Sequence, residues 1–179
     1  MMFEKLKSNP VLFFLIKAGS LLILWYVLYD FFLNPAGFLD RPVISNLIFL
    51  SSSVLRLFGF NIINSSIEGM RTMGIDGTNG VWIGDPCNGI SLFAIFAIIV
   101  ICFPGKAKTK LWFIPAGMMI IHLINVLRIA GLALIEYYSP SSLDFNHTYT
   151  FQVIIYGVIF LLWMRWVNRY SGIRTKKII

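Results

Sequence analysis

Long apolar blocks separated by short polar segments constrain the fold of this chain more than any other feature. A helix needs about 20 mainly apolar residues to cross a bilayer, and four blocks are close to that length or longer: 11–33, 86–103, 111–136 and 148–167. The chain of 179 residues is 58% hydrophobic and only 13% charged, a balance that excludes a soluble domain. We predict one all-α integral membrane domain over residues 1–179, with four to five transmembrane helices.

The basic residues define the predicted orientation. The net charge of +7 could suggest nucleic acid, but eleven of the fifteen Lys and Arg residues lie in three segments, near the N-terminus, at residues 106–110 and from residue 165 onward. Short loops rich in Lys and Arg stay in the cytoplasm. We therefore place these three segments inside and expect a multi-pass protein of the cytoplasmic membrane that binds no nucleic acid.

Two stretches do not fit a simple spanning helix. Residues 43–60 are long enough to span but contain Asn46, three consecutive serines and Arg56, so we predict an interfacial or shallowly inserted helix on the outer side. A spanning helix here is the alternative, and it would change the parity of the preceding segments. Residues 61–86 are rich in Gly, Asn and Asp, which predicts an external hairpin or an ordered loop.

Three polar residues fall at the same predicted membrane level. Counted from Leu111 at about 1.5 Å per residue, Arg128 lies roughly 26 Å up a hydrocarbon core about 30 Å thick. Cys87 lies at the outer start of the third block, and His147 lies at or just before the outer start of the last one. Asn125, one turn before Arg128, gives that helix face a second polar group and favours a buried or wet site.

The residues around Cys87 suit a nucleophile. With Asp85 as N-cap and Pro86 at the first helical position, Cys87 is predicted to lie in the first turn of a helix. The free amides and the positive end of the helix dipole would stabilise a thiolate, whereas the charge of Asp85 would oppose it. A cationic Arg128 or His147 nearby would favour the thiolate again.

Simpler explanations stay open for each residue. Cys87 can be an inert small hydrophobe, Arg128 can extend to the outer headgroups, and His147 can be a solvated loop residue. Four further residues are predicted to have no catalytic role, with Cys102 structural, His122 a hydrogen-bonding link between helices, and two ordinary surface charges, Glu136 and Asp144. No disulfide between Cys87 and Cys102 is expected, because both lie on one helix about 22 Å apart.

Three ordered segments resemble the exosortase/archaeosortase family of membrane cysteine transpeptidases: "VWIGDPCNGIS", "NVLRIAG" and "HTYTF", with "LRLFGF" as a weaker match. The resemblance covers residues 84–151, and the size of the chain is similar to that of the short exosortases of Bacteroidetes, with the exosortase F group as one candidate. It assigns the catalytic cysteine to Cys87, the arginine to Arg128 and the histidine to His147. Asp85, Asn88 and Asn125 are possible supporting residues. Many bacterial members have Ser where this chain has Asn88.

The resemblance implies a protease or transpeptidase that recognises a C-terminal sorting signal of an exported protein, made of a short motif, a membrane helix and a basic cluster. The active site would face the exterior, and the acceptor would be an amine, a lipid-linked group or water. No cofactor or metal is expected. A noncatalytic subunit of a surface-polymer export or secretion assembly is the main alternative. A metal or haem site is a weaker one, because only Cys87 and His147 offer ligands at that depth.

Overall fold

The computed structural model describes residues 9–63 and 71–172, and the described chain is almost entirely helical. Five main helices follow one another: α1 (Pro10–Leu28), α2 (Asp40–Leu57), α3 (Ile90–Cys102), α4 (Ala107–Tyr138) and α5 (Phe151–Arg169). A small hairpin stands between α2 and α3. This architecture confirms the predicted all-α class of membrane protein.

The first helix begins at a side-chain cap and lies mostly outside the core. The Asn9 side chain accepts hydrogen bonds from the amides of Val11 and Leu12, each at 3.2 Å, which satisfies two of the free donors at the start of α1. The helix continues through a π-helical turn, Tyr29–Leu33, and a last α-helical turn, Asn34–Ala36. Ala18 is the one buried residue within α1, so nearly all of its apolar surface faces outward.

The second helix packs lengthwise against the second half of α4. Asn46 contacts His122 at 2.8 Å, the Ser51 hydroxyl donates to the Val126 carbonyl at 3.0 Å, and the Phe60 ring lies 5.9 Å from that of Tyr137. Because these contacts advance in the same direction along both segments, α2 runs parallel to α4. The helix predicted at residues 43–60 is confirmed, and its depth in the bilayer stays a prediction.

The predicted hairpin is present. Strands β1 (Thr72–Met73) and β2 (Val81–Trp82) pair antiparallel, with Thr72 opposite Trp82 and Met73 opposite Val81. Met73, Ile75 and Ile83 are buried in a cluster that also contains residues of α2 and α4. The hairpin is therefore packed onto the helices. Part of the predicted loop, residues 64–70, lies outside the described residues.

The core has two halves built around α4. One is the cluster that the hairpin shares with α2, and the other joins α3, α4 and α5 through Phe96, Phe113 and Trp166. Gly117 permits the close approach of α3, because a Cβ atom there would lie 2.2 Å from the ring of Phe96. Small residues at helix contacts allow this tight packing in membrane proteins.

Within the described residues, three helices are long and apolar enough to cross a membrane: Pro10–Ala36, Ala107–Tyr138 and Pro140–Arg169. The last of these includes α5 and the turns that lead into it. The predicted four to five spans counted the apolar block at residues 86–103, which forms α3. That helix has 13 residues, or about 20 Å of length, and so it is shorter than a full span.

Candidate active site

Cys87 lies in a 3-10 turn, Asp85–Cys87, between the hairpin and α3. The prediction that Asp85 caps a helix with Cys87 in its first turn is wrong. Gly84 precedes the turn, and α3 begins three residues after the cysteine, at Ile90. Cys87 is therefore outside the first turn of α3, and the predicted stabilisation of a thiolate by the first turn of that helix does not apply.

Asn88 and Gly89 explain why the helix begins late. The Asn88 side-chain oxygen accepts a hydrogen bond from the Ile90 amide at 2.8 Å, a local bond that competes with a helical backbone. Gly89 has a φ of 88°, a left-handed conformation that other residues adopt at a cost. A Cβ atom on Gly89 would also lie 3.2 Å from the Asn125 side chain. The two residues turn the chain sharply and set Cys87 apart from α3.

The structure brings the three predicted residues together. The sulfur of Cys87 lies 3.4 Å from Nε2 of His147 and 3.9 Å from Nη2 of Arg128. The lateral closeness that sequence could not show is thus present. The three side chains come from three separate segments: the 3-10 turn, the middle of α4 and the π-helical segment Asn146–Thr150, which leads into α5.

Arg128 is almost completely buried, with 3% of its surface exposed. Its guanidinium is a fixed cation 3.9 Å from the sulfur, and charges interact strongly where water is scarce. Within the described part of the chain, its Nε atom is buried and has no hydrogen-bond partner. Arg128 therefore has one contact to the sulfur and one unused donor near the same site.

Asn125 fixes the backbone of the cysteine. Its Nδ2 atom donates to the Cys87 carbonyl at 3.0 Å, and the residue is fully buried. It lies one turn before Arg128 on the same face of α4. One face of α4 therefore contacts both the main chain of Cys87, through Asn125, and its sulfur, through Arg128.

His147 reaches the sulfur from a part of the last helical segment that is wound more widely than an α-helix. Such π-helical turns often occur at functional sites. Both Cys87 and His147 are partly exposed, whereas Arg128 and Asn125 are buried. Cys87 and His147 thus keep some exposed surface, whereas the residues of α4 that contact Cys87 are enclosed.

Asp85 has partners that the sequence did not indicate. It forms an ion pair with Arg71 at the base of the hairpin, and its Oδ2 atom accepts a hydrogen bond from Asn34 at 3.1 Å. The expected opposition of Asp85 to a thiolate is therefore offset by the guanidinium of Arg71. Asp85 links the turn of Cys87 to the hairpin and to the end of the first helical segment.

Sequence reasoning missed a group of polar residues on the other elements that meet this turn. Asp40 is fully buried and accepts hydrogen bonds from the Tyr29 hydroxyl and from the Asn88 side chain. A signal was available, since Tyr29, Asn34 and Asp40 are among the polar residues around the C-terminal end of a largely apolar segment. Because we expected a solvated loop in this region, we assigned these residues no hydrogen-bond partners.

The residues expected to have other roles differ in their surroundings. His122 bonds Asn46 of α2, as expected for a link between helices, and Cys102 is a free thiol at the end of α3. Glu136 is buried on α4, contrary to the expected surface position, and Asp144 is exposed. In residues 9–63 and 71–172, no group of three or more His, Cys, Asp or Glu side chains could hold a metal ion.

Comparison with known proteins identifies the family of this chain. A family model described as Transmembrane exosortase (Exosortase_EpsH) matches residues 10–167, which include Cys87, Arg128 and His147. No curated protein and no solved structure matches the chain significantly. The family match extends well beyond the segments 84–151 that carried the resemblance and covers most of the molecule. The chain is a multi-pass membrane protein that belongs to the transmembrane exosortase family.

Proposed function

We propose that the protein is a cysteine transpeptidase that cleaves the C-terminal sorting signal of exported proteins at the outer face of the cytoplasmic membrane. The observation that carries this proposal is the contact of one sulfur, that of Cys87, with both His147 and Arg128. A nucleophile, a proton-transferring group and a fixed cation within bonding distance are the elements that acyl transfer requires.

The proposed reaction has two halves. In the first, His147 takes the proton of the Cys87 thiol, the thiolate attacks the scissile carbonyl carbon, and the tetrahedral intermediate collapses to a thioester as the peptide amine leaves with that proton. In the second, His147 removes a proton from the acceptor, which attacks the thioester and releases the thiolate. Arg128 stabilises the oxyanion in both halves through its fixed positive charge beside the sulfur.

The proposed substrate fits the predicted orientation. A tail made of a short motif, an apolar helix and a basic cluster would cross the membrane with its basic end in the cytoplasm. It would present the motif at the outer interface, where we place Cys87. The acceptor would be an amine, a lipid-linked group or water.

A proteomic comparison tests this function. Cells that carry Cys87→Ala should accumulate exported proteins that retain an apolar C-terminal helix with a basic tail, whereas wild-type cells and Cys102→Ala cells should lack those intact C-termini. Cys87→Ser, with a weaker nucleophile of similar size, should resemble Cys87→Ala. If processing and surface assembly were normal in Cys87→Ala cells, the noncatalytic export subunit would become the better explanation.

A further inference from the structure

A chain of polar contacts connects the two ends of the turn that carries Cys87. At one end of the turn, Asn34 donates to Asp85 at 3.1 Å and lies 3.4 Å from the Tyr29 hydroxyl. At the other end, Asn88 donates to Asp40, which also accepts the hydrogen bond of Tyr29. We call these five residues the polar clamp. It connects both ends of the turn to the first two helices.

The centre of the clamp is costly to bury. The exposed fractions of Asp40, Asn88 and Tyr29 are 0%, 1% and 6%. A carboxylate so placed lowers stability unless donors compensate it. The two donors converge on Oδ1, and Oδ2 has no hydrogen-bond partner within the described residues. An apolar residue would satisfy packing at lower cost, which favours a role for Asp40 beyond filling space.

The clamp complements the hold that α4 has on the same turn. Asn125 of α4 binds the carbonyl of Cys87 itself, whereas the clamp binds the residues on either side of it. The backbone is thus held from two directions, and the side chain stays free to meet His147 and Arg128. A sulfur contact of 3.4 Å is lost if the turn shifts by about 1 Å, and such displacements can cost about a hundredfold in rate.

We propose that Tyr29 and Asp40 are positioning residues, which act through Asn88 to hold the sulfur of Cys87 against His147. This inference rests on the proposed function, because it assigns a task to the clamp in activating the nucleophile. It assigns neither residue a contact with the substrate. The first two helices thereby contribute to the active site, although none of the three reacting side chains lies on them.

Two measurements on the purified full-length protein test the clamp. The first is amide hydrogen exchange of residues 84–89, which we expect to become about tenfold faster in Tyr29→Phe and in Asp40→Ala. Asp40→Asn should restore much of the protection, because it keeps an acceptor at the same position. The matched controls are Tyr26→Phe and Asp30→Asn, exposed residues of the same two types on the first helical segment. They should leave exchange unchanged.

The second measurement is a double-mutant cycle on the alkylation rate of Cys87 by a maleimide, with Cys102 replaced by Ala. The loss caused by His147→Ala should be smaller in the Tyr29→Phe and Asp40→Ala backgrounds than in the wild type, because the sulfur has already left its partner. If the clamp only stabilised the fold, its substitutions would lower the melting temperature. The decreases in alkylation rate caused by a clamp substitution and by His147→Ala would then multiply.

The proposal would be overturned if the losses of alkylation rate were multiplicative, or if amide exchange of residues 84–89 were unchanged in Tyr29→Phe. Should Asp40→Ala fail to fold, Tyr29→Phe alone still tests the proposal. The proposed function can fail separately. If His147→Ala had no effect on wild-type alkylation, that result would count against an activated nucleophile, and the exchange data alone would decide whether the clamp positions the turn.

Discussion

The sulfur of Cys87 has two partners of different chemistry. Arg128 is a permanent cation, whereas His147 can donate or accept a proton according to its tautomer and charge. The two contacts should therefore raise the reactivity of the thiol in different ways. Arg128 acts through its charge, and His147 acts through proton transfer.

At this scale we expect Arg128→Gln and His147→Ala each to slow alkylation of Cys87 by about tenfold at neutral pH, because each removes a group that favours the thiolate. The rate is measured in intact cells with a membrane-impermeant thiol reagent, in a Cys102→Ala background. His122→Ala is the matched control, since its ring bonds Asn46 and not the sulfur. Equal rates in all three variants would mean that Cys87 is an ordinary thiol.

The sequence predicted the three residues that meet at the sulfur better than the residues that hold the turn in place. Cys87, Arg128 and His147 could be found from membrane depth, because a polar group in an apolar block is costly and conspicuous. Tyr29 and Asp40 could not be assigned in the same way. Tyr29 and Asp40 bond each other across 11 residues of chain, and Asp40 bonds Asn88 across 48 residues. No periodic sequence pattern encodes such contacts.

At the scale of the elements, the late start of α3 is the main departure from the predicted helices. An Asp-Pro pair is a strong helix start signal, but here it opens a 3-10 turn of three residues. The left-handed Gly89 and the side-chain bond of Asn88 then separate this turn from α3. Apolar content predicted where the helix lies, and local turn geometry decided where it begins.

Gly89→Ala should therefore disturb the site through the backbone. The left-handed conformation costs a residue with a Cβ atom roughly 1–2 kcal/mol, and the new atom would press on Asn125. We expect a lower melting temperature in detergent and slower alkylation of Cys87. Gly157→Ala in α5 is the control, because a Cβ atom there has open space. If both variants behaved like the wild type, Gly89 would not be needed for the turn.

The link between α2 and α4 should behave as structure alone. Removing either His122 or Asn46 by substitution with Ala breaks the same bond, and side-chain hydrogen bonds between membrane helices are worth about 0.6 kcal/mol on average. Thermal unfolding of the two single variants and the double variant should give a coupling of that order, with unchanged alkylation of Cys87. A change in thiol reactivity in either single variant would show that this pair also supports the active site.

At the scale of the whole molecule, the predicted orientation puts the hairpin outside and the loop before α4 inside. Both Asn79 in the hairpin turn and Lys108 at the start of α4 are exposed, which makes them suitable reporter positions. The placement rests on the basic segments and the positive-inside rule, because the helices by themselves have no orientation relative to a membrane.

Single-cysteine labelling tests this orientation. In a chain with Ser at positions 87 and 102, Asn79→Cys should react with a membrane-impermeant maleimide in intact cells, whereas Lys108→Cys should react only after the cells are permeabilised. Labelling with a permeant reagent is the control for expression of both variants. The reverse pattern would place Cys87 in the cytoplasm and remove the proposed site from the outer face.

The histidine that meets Cys87 is 60 residues further along the chain, on the last membrane segment. During synthesis, the cysteine is made and enters the membrane well before its partner leaves the ribosome. The nascent protein therefore contains the thiol without its histidine contact until the segment that carries His147 has inserted. Insertion of that segment would then be the step that completes the site, and the thiol would stay without its partner while earlier segments pass through the insertion machinery.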